Sequence, residues 1–312
     1  MHAATVPARA GVAGNPSDGY GGAAVAVPVS PLAATVEIVD APHVRVVGPP
    51  DEDAWRDVGT LLAHTDRYGH EGGHRLVTAA VATMARHAGV TDDACELRWT
   101  TTIPRSVGLG GSSAVVVATM QALARRWGIG VEPLTLARLA LAAEVTELGI
   151  TAGLIDRAVQ ALRAPALVDG DVARRLAVNV LPPLVVAWRA DAAGPSHRVH
   201  GALRRRFDAG EGTVVTAMQR LADAGRAGAA ALESGDADAF AQCVRTTWAQ
   251  RQTMGIVGDD VAAMVDAFDH HGVAATSAGS GGAVVGVLPP TVDAAQAMAA
   301  IDGIADDAVT LP

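Results

Sequence analysis

The residues whose types and spacing could do chemistry sit in three glycine-rich stretches and one pair of acids. The densest stretch is PRSVGLGGSSA, residues 104–114. A Thr-rich run ends there, a glycine loop follows, and an apolar helix is predicted from Ser113 to Trp127. Glycines let backbone N–H groups approach a ligand closely, and a helix start adds unpaired N–H groups and a positive dipole end. Pro104, Gly108, Leu109, Gly110, Gly111, Ser112, Ser113 and Ala114 are therefore candidates to cradle a nucleotide's phosphates. The Ser112 and Ser113 hydroxyls can cap the helix or ligate Mg²⁺. A plain capped helix after a turn is the alternative. The second stretch, PARAGVAGNPSDGYGG (residues 7–22), carries Arg9 on a small apolar strand. It then offers Asn15, Ser17, Asp18 and Tyr20, donors and acceptors of the kind a hydroxylated substrate needs. An ordinary turn uses the same residue types. The third stretch runs through Gly279, Ser280 and Gly281 into a valine-rich strand.

The acids are Glu144 and Asp156, 12 positions apart. On one straight helix they would stand about 18 Å apart, too far to serve one phosphate. Gly149 and Gly153 interrupt that helix, which puts Glu144 near one helix end and Asp156 in the first turn of the next. A carboxylate there is held ionised by the helix dipole. The bland alternatives are a solvated face for Glu144 and Glu147, a pairing of Asp156 with Arg157, and a surface cation for Arg9. Two nucleotide motifs are absent. All 24 basic residues are arginine, so no GxxxxGK[ST] loop exists, and Gly108 and Gly110 lack the third glycine of the dinucleotide fingerprint.

The elements that must position these groups follow from periodicity and breakers. Strands are predicted at Val25–Val29 and Thr35–Val39 around a turn at Ser30-Pro31, and at Val44–Val47, Cys95–Ile103, Ala166–Val168, Leu176–Val180, Leu184–Trp188 and Ala283–Leu288. Helices are predicted at His74–Ala88, Leu134–Leu148, about Gly153–Leu162, Gly212–Ser234, Asp236–Gln252, Asp259–His271 and Ala294–Ile301. The mixture reads as α+β, with a boundary near Pro182-Pro183 separating residues 1–180 from 181–312. A net charge of −9 argues against nucleic acid as a partner. Two distant cysteines exclude a disulfide framework, and the lack of an 18-residue apolar run leaves no membrane partner; a cytoplasmic protein, monomer or homodimer, is expected.

Together the three glycine stretches resemble the motifs of the GHMP kinases. The resemblance is closest to the glucuronokinase branch, through GNPSDGYGG, ELGITAGLIDR, LPPL with Ser196 and His200 following, and GSGGAVV. It spans residue 7 to about 288. It implies a two-domain α+β fold with the active site in the cleft between domains, and ATP and Mg²⁺ as cofactors. It further implies transfer of a phosphoryl group to a small sugar or sugar acid, most of all to the anomeric hydroxyl of glucuronate. A heptose phosphate, another sugar, mevalonate, or a non-catalytic binding role on the same scaffold are the alternatives. By the same resemblance Asp156 matches the catalytic aspartate, Glu144 a Mg²⁺ ligand alongside Ser112 or Ser113, and Arg9 the cation near the transferring phosphoryl. His74, Arg75, His200 and the Arg204–Arg206 run are weaker substrate candidates.

Overall fold

The computed structural model describes residues 1–48, 52–190 and 196–311, the side chains of 196–200 excepted. The chain forms two compact units. One comprises Met1–Ala8, Leu32–Ile103 and Gly111–Arg163; the other comprises Arg9–Pro31, Pro104–Gly110 and Ala164–Pro312. Strands β1 (His2–Ala13) and β2 (Ala23–Asp40) contribute to both.

In the first unit, β3 (Val44–Val47) pairs antiparallel with β4 (Glu52–Trp55) and parallel with β5 (Cys95–Thr101). The second half of β2 lies antiparallel to β5, from Ala34 opposite Thr101 to Asp40 opposite Cys95. Along this half Ala34, Val36 and Ile38 are fully buried while their neighbours are not, the period of two that a one-sided sheet requires. The helices are α1 (Val58–Tyr68), α2 (Arg75–Ala88), α3 (Gly111–Arg126), α4 (Pro133–Ala142) and α5 (Ile155–Leu162). Their ends follow local chemistry. Asp57 accepts the Thr60 N–H at the start of α1, Pro133 opens α4, and Gly89 closes α2 in the left-handed region.

In the second unit, β6 (Ala166–Asp169) pairs antiparallel with the first half of β2 and with β7 (Val172–Arg175). A four-stranded antiparallel sheet has the order β11-β8-β10-β9, from β8 (Leu184–Trp188), β9 (Ala274–Ser277), β10 (Ala283–Val287) and β11 (Asp307–Leu311). Its helices are α6 (Ser196–Asp208), α7 (Gly212–Ser234), α8 (Ala237–Thr253), α9 (Asp259–His270) and α10 (Ala294–Ala300). Trp248, Met264 and Phe268 pack with Val185 and Val284 of the sheet. Few aromatics are available, so close approach of small residues fills much of the rest. A Cβ on Gly225 of α7 would lie 2.2 Å from the Ala23 carbonyl oxygen of β2.

Three expectations need correction. No turn interrupts β2 at Ser30-Pro31; the strand continues for 18 residues. Its pairing with β6 covers Ala23–Ala26 and its pairing with β5 covers Ala34–Asp40, so Pro28 and Pro31 lie outside both of these ladders, while β1 pairs with β2 as well. The strand expected at Leu176–Val180 is absent, because Gly170 at φ 58° turns the chain tightly and pairs Val172–Arg175 with β6 instead. The helix expected to Leu148 leaves α geometry at Ala142 and continues as a π-helical turn, Ala143–Glu147.

Candidate functional site

In the first unit the acidic pair is built on that π turn. The wider turn carries both Glu144 and Glu147, and π turns recur at functional positions. Glu147 is tied down by His70 at 3.2 Å and by Arg86 at 2.6 Å. Glu144 is fully buried, which overturns the solvated-face alternative. Its Oε2 accepts from Nε of Arg157 at 2.7 Å and also from Nη2 of the same guanidinium. Its Oε1 has no hydrogen-bond partner among the described residues. Gly149, at φ 64°, turns the chain after the π turn, and α5 begins at Ile155 with Asp156 in its first turn. Arg157 Nη1 donates to the Gly153 carbonyl at 2.9 Å and lies 3.6 Å from Asp156 Oδ2. One buried guanidinium therefore joins two carboxylates that a straight helix would keep apart.

The glycine stretch 104–114 is divided between the two units along the chain, Pro104–Gly110 falling in the second and Gly111 onward in the first. Helix α3 begins at Gly111, so Ser112 and Ser113 lie inside its first turn. Ser112 is exposed and Ser113 fully buried. The first turn of any helix presents N–H groups with no intrahelical acceptor, here beginning at Gly111.

In the second unit the three glycine stretches meet at Arg9, a nearly buried residue. Its Nη1 donates to the Gly108 carbonyl at 2.6 Å and to the Ala278 carbonyl at 2.9 Å, and its backbone N–H donates to the Leu109 carbonyl at 3.0 Å. The Gly11 N–H donates to Ala278 and the Ala283 N–H to Val107. These contacts explain the glycines. A Cβ on Gly279 would stand 2.2 Å from the Gly108 carbonyl oxygen, and one on Gly281 2.2 Å from the Val107 carbonyl carbon. Gly108 has φ 85°, and Ser106 holds φ 62° without being glycine, so the loop stores local strain.

The Asn15–Gly22 stretch is more tightly engaged than its turn-like composition implies. The buried Ser17 hydroxyl donates to the Ala23 carbonyl at 2.8 Å. The Tyr20 ring meets Phe207 edge-on and lies 4.1 Å from the Arg204 guanidinium carbon, and burial pushes its phenol up from the ordinary tyrosine value. Arg204, one of the weaker substrate candidates, also donates to the Gly19 carbonyl. Asn15 receives Nη1 of Arg251, 3.1 Å from its Oδ1, and Arg251 Nη2 donates to the Gly279 carbonyl at 2.9 Å. No motif drew attention to Arg251. The available signal was its place in the buried stripe Phe240, Val244, Thr247, Arg251 of α8, where a charge is out of character. His74 is fully buried and accepts the Trp99 indole N–H at 3.1 Å; the His200 side chain lies outside the described residues.

The donor set fits Mg²⁺. Magnesium is usually held by one or two carboxylates plus substrate phosphates, and the partnerless buried Oε1 of Glu144 is such an oxygen. Among the described residues no three His, Cys, Asp or Glu side chains gather as an all-protein metal cage, and no helix is long and apolar enough to cross a membrane.

Comparison with known proteins agrees with the architecture. Residues 75–163 match the GHMP kinases N terminal domain and residues 229–304 the GHMP kinases C terminal domain. The probable glucuronokinase 2 of Arabidopsis thaliana is 30% identical, over 90% of this chain and 83% of its own. The solved mevalonate kinase of Methanococcus jannaschii superposes with a TM-score of 0.81 at 13% identity, covering 100% of this chain and 97% of that one. The phosphomevalonate kinase of Streptococcus pneumoniae, solved with phosphomevalonate and AMPPNP, gives 0.78 at 15% identity, covering 100% of both.

Proposed function

Because the chain belongs to the GHMP kinase family, we propose that it transfers the γ-phosphoryl group of ATP to a sugar hydroxyl, the anomeric hydroxyl of glucuronate first among acceptors. The observation that carries this reading is the convergence of three glycine loops on the buried guanidinium of Arg9. Phosphoryl transfer needs positioning and charge stabilisation above all, and such a cradle supplies both.

In this reading Pro104, Gly108–Ala114 and the start of α3 hold the triphosphate through backbone N–H groups. Arg9 supplies the guanidinium that faces the phosphoryl as it leaves. Asp156 orients the acceptor hydroxyl and receives its proton. Arg157 holds Glu144 so that Oε1 stays available, and Glu144 Oε1 with the Ser112 or Ser113 hydroxyl would hold Mg²⁺. Bound Mg²⁺ would supply neutralisation of charge building between the β- and γ-phosphates. Asn15, Ser17, Asp18, Tyr20 and Gly279–Gly281 belong to the acceptor side, where Ser17 and Tyr20 act by shaping the loop.

The test is ADP release across glucuronate, other uronic acids, neutral sugars, a heptose phosphate and mevalonate, with and without Mg²⁺. Mg²⁺-dependent turnover highest with glucuronate supports the reading. Turnover confined to mevalonate or a phosphorylated sugar overturns the acceptor. ATP binding without turnover on any of them overturns the kinase reading.

A further inference from the structure

Arg251 is a charge in a position built for an apolar side chain. It continues the inward stripe of α8 and is 4% exposed. Burial first, and the charge of Arg9 second, lower its pKa to about 10. Among the described residues the acceptors of its Nη atoms are neutral: Nη1 reaches the carbonyl oxygen and Oδ1 of Asn15, and Nη2 reaches the Gly279 carbonyl. Among the described residues it forms no ion pair, and its Nε has no acceptor at all. A buried charge is ordinarily paired with an opposite one. Two neighbouring buried guanidiniums, Arg9 and Arg251, repel each other and raise the demand for an anion.

The two cations face different loops. Arg9 sits on the carbonyl of Gly108, in the phosphate loop. Arg251 grips Asn15, in the stretch whose donors and acceptors suit a hydroxylated acceptor. We propose that Arg251 is a specificity-determining residue for the acceptor: its guanidinium, held between Asn15 and Gly279, completes its set of partners with the carboxylate of a uronic acid. This rests on the sugar-kinase reading above and adds to it the residue that reads the acid group. A sugar with a hydroxymethyl group in place of the carboxylate leaves the charge unanswered, so the site favours uronic acids over their neutral counterparts. A guanidinium suits this task because it pairs a carboxylate through two parallel N–H bonds.

The experiment uses the full chain and the variants Arg251→Lys, Arg251→Met and Asn15→Asp, each checked for folding by circular dichroism. KM for glucuronate, KM for ATP and the affinities for glucuronate and glucose by calorimetry are measured. Loss of a charge-assisted bond should raise the glucuronate KM of Arg251→Met by about 10- to 100-fold, with the ATP KM within about twofold of wild type. Its preference for glucuronate over glucose should fall toward one, and Arg251→Lys should be intermediate. Asn15→Asp supplies a competing carboxylate to the same guanidinium and should weaken glucuronate alone; it carries the test if Arg251→Met does not fold. A rise in the ATP KM matching that of glucuronate would assign Arg251 to the nucleotide phosphates and overturn the proposal. An unchanged glucuronate preference in Arg251→Met and Asn15→Asp would overturn it while leaving the kinase reading intact. A wild-type enzyme that turns over neutral sugars and binds no uronic acid would overturn the acceptor and the proposal together.

Discussion

Replacing Glu144 by Ala should cost the protein far more than a typical surface substitution. The carboxylate is fully buried and Arg157 is 3% exposed, so each has surrendered its hydration to the other. Removing one partner of a buried pair costs about 3–5 kcal/mol, because the survivor is left charged and unsolvated. Asp156, 3.6 Å from the same guanidinium, offsets part of the loss, which places the expected value near the lower end, about 3 kcal/mol. The measurement is urea unfolding with EDTA present, comparing wild type, Glu144→Ala, Glu144→Met, Arg157→Met and Glu144→Met/Arg157→Met. Removing both charges together should restore most of the stability, giving a coupling of about 2 kcal/mol or more between the two sites. A loss below about 1 kcal/mol in Glu144→Ala, or additive losses in the double variant, would refute the claim that these side chains neutralise each other in the interior.

Three further outcomes follow from the geometry. Gly281→Ala would place a methyl 2.2 Å from the Val107 carbonyl carbon and 2.3 Å from the Ser106 carbonyl oxygen; it should lower stability by about 1–3 kcal/mol, read as a lower thermal midpoint, and weaken protection by ATP. Asp156→Asn should lower kcat by about a hundredfold or more while leaving the ATP affinity within about twofold, measured by ADP release and calorimetry. Near-wild-type turnover would remove Asp156 from proton transfer. Glu233 is held at about pKa 2, first by Arg174 and then by the Ala177 N–H, against an ordinary 4.5. Its folded pKa is depressed, so its contribution is fully present above about pH 4.5 and fades as pH falls toward 2; Glu233→Gln should flatten that part of the stability–pH curve, followed by circular dichroism.

Much of the scaffold was legible because local signals agreed with tertiary demand. The α2 helix ends where Gly89 adopts the left-handed region, and α7 spans Gly212–Ser234 as its periodicity and the following Gly235 imply. Elements set by non-local contacts were not legible. β2 passes through two prolines that lie outside its ladders with β5 and β6, which no window of the sequence reveals. β9 reads as a loop, yet pairing with β10 makes Ala274–Ser277 a strand. The π turn at Ala143–Glu147 has no sequence signature distinct from a continuing helix, although Glu144 depends on it. The glycine loops were found by composition. Their reason was only partly foreseen: Gly108, Gly279 and Gly281 also let two backbones touch. Arg251 was missed because it carries no motif, only an apolar position occupied by a cation.

The most direct measurement is the phosphorus NMR spectrum of a reaction containing the full chain, ATP, Mg²⁺ and glucuronate labelled with ¹³C at the anomeric carbon. The account predicts ADP together with a new phosphate resonance coupled to that carbon. ADP formed with phosphate on any other carbon, or no sugar phosphate while a neutral sugar or mevalonate is phosphorylated under the same conditions, would contradict it.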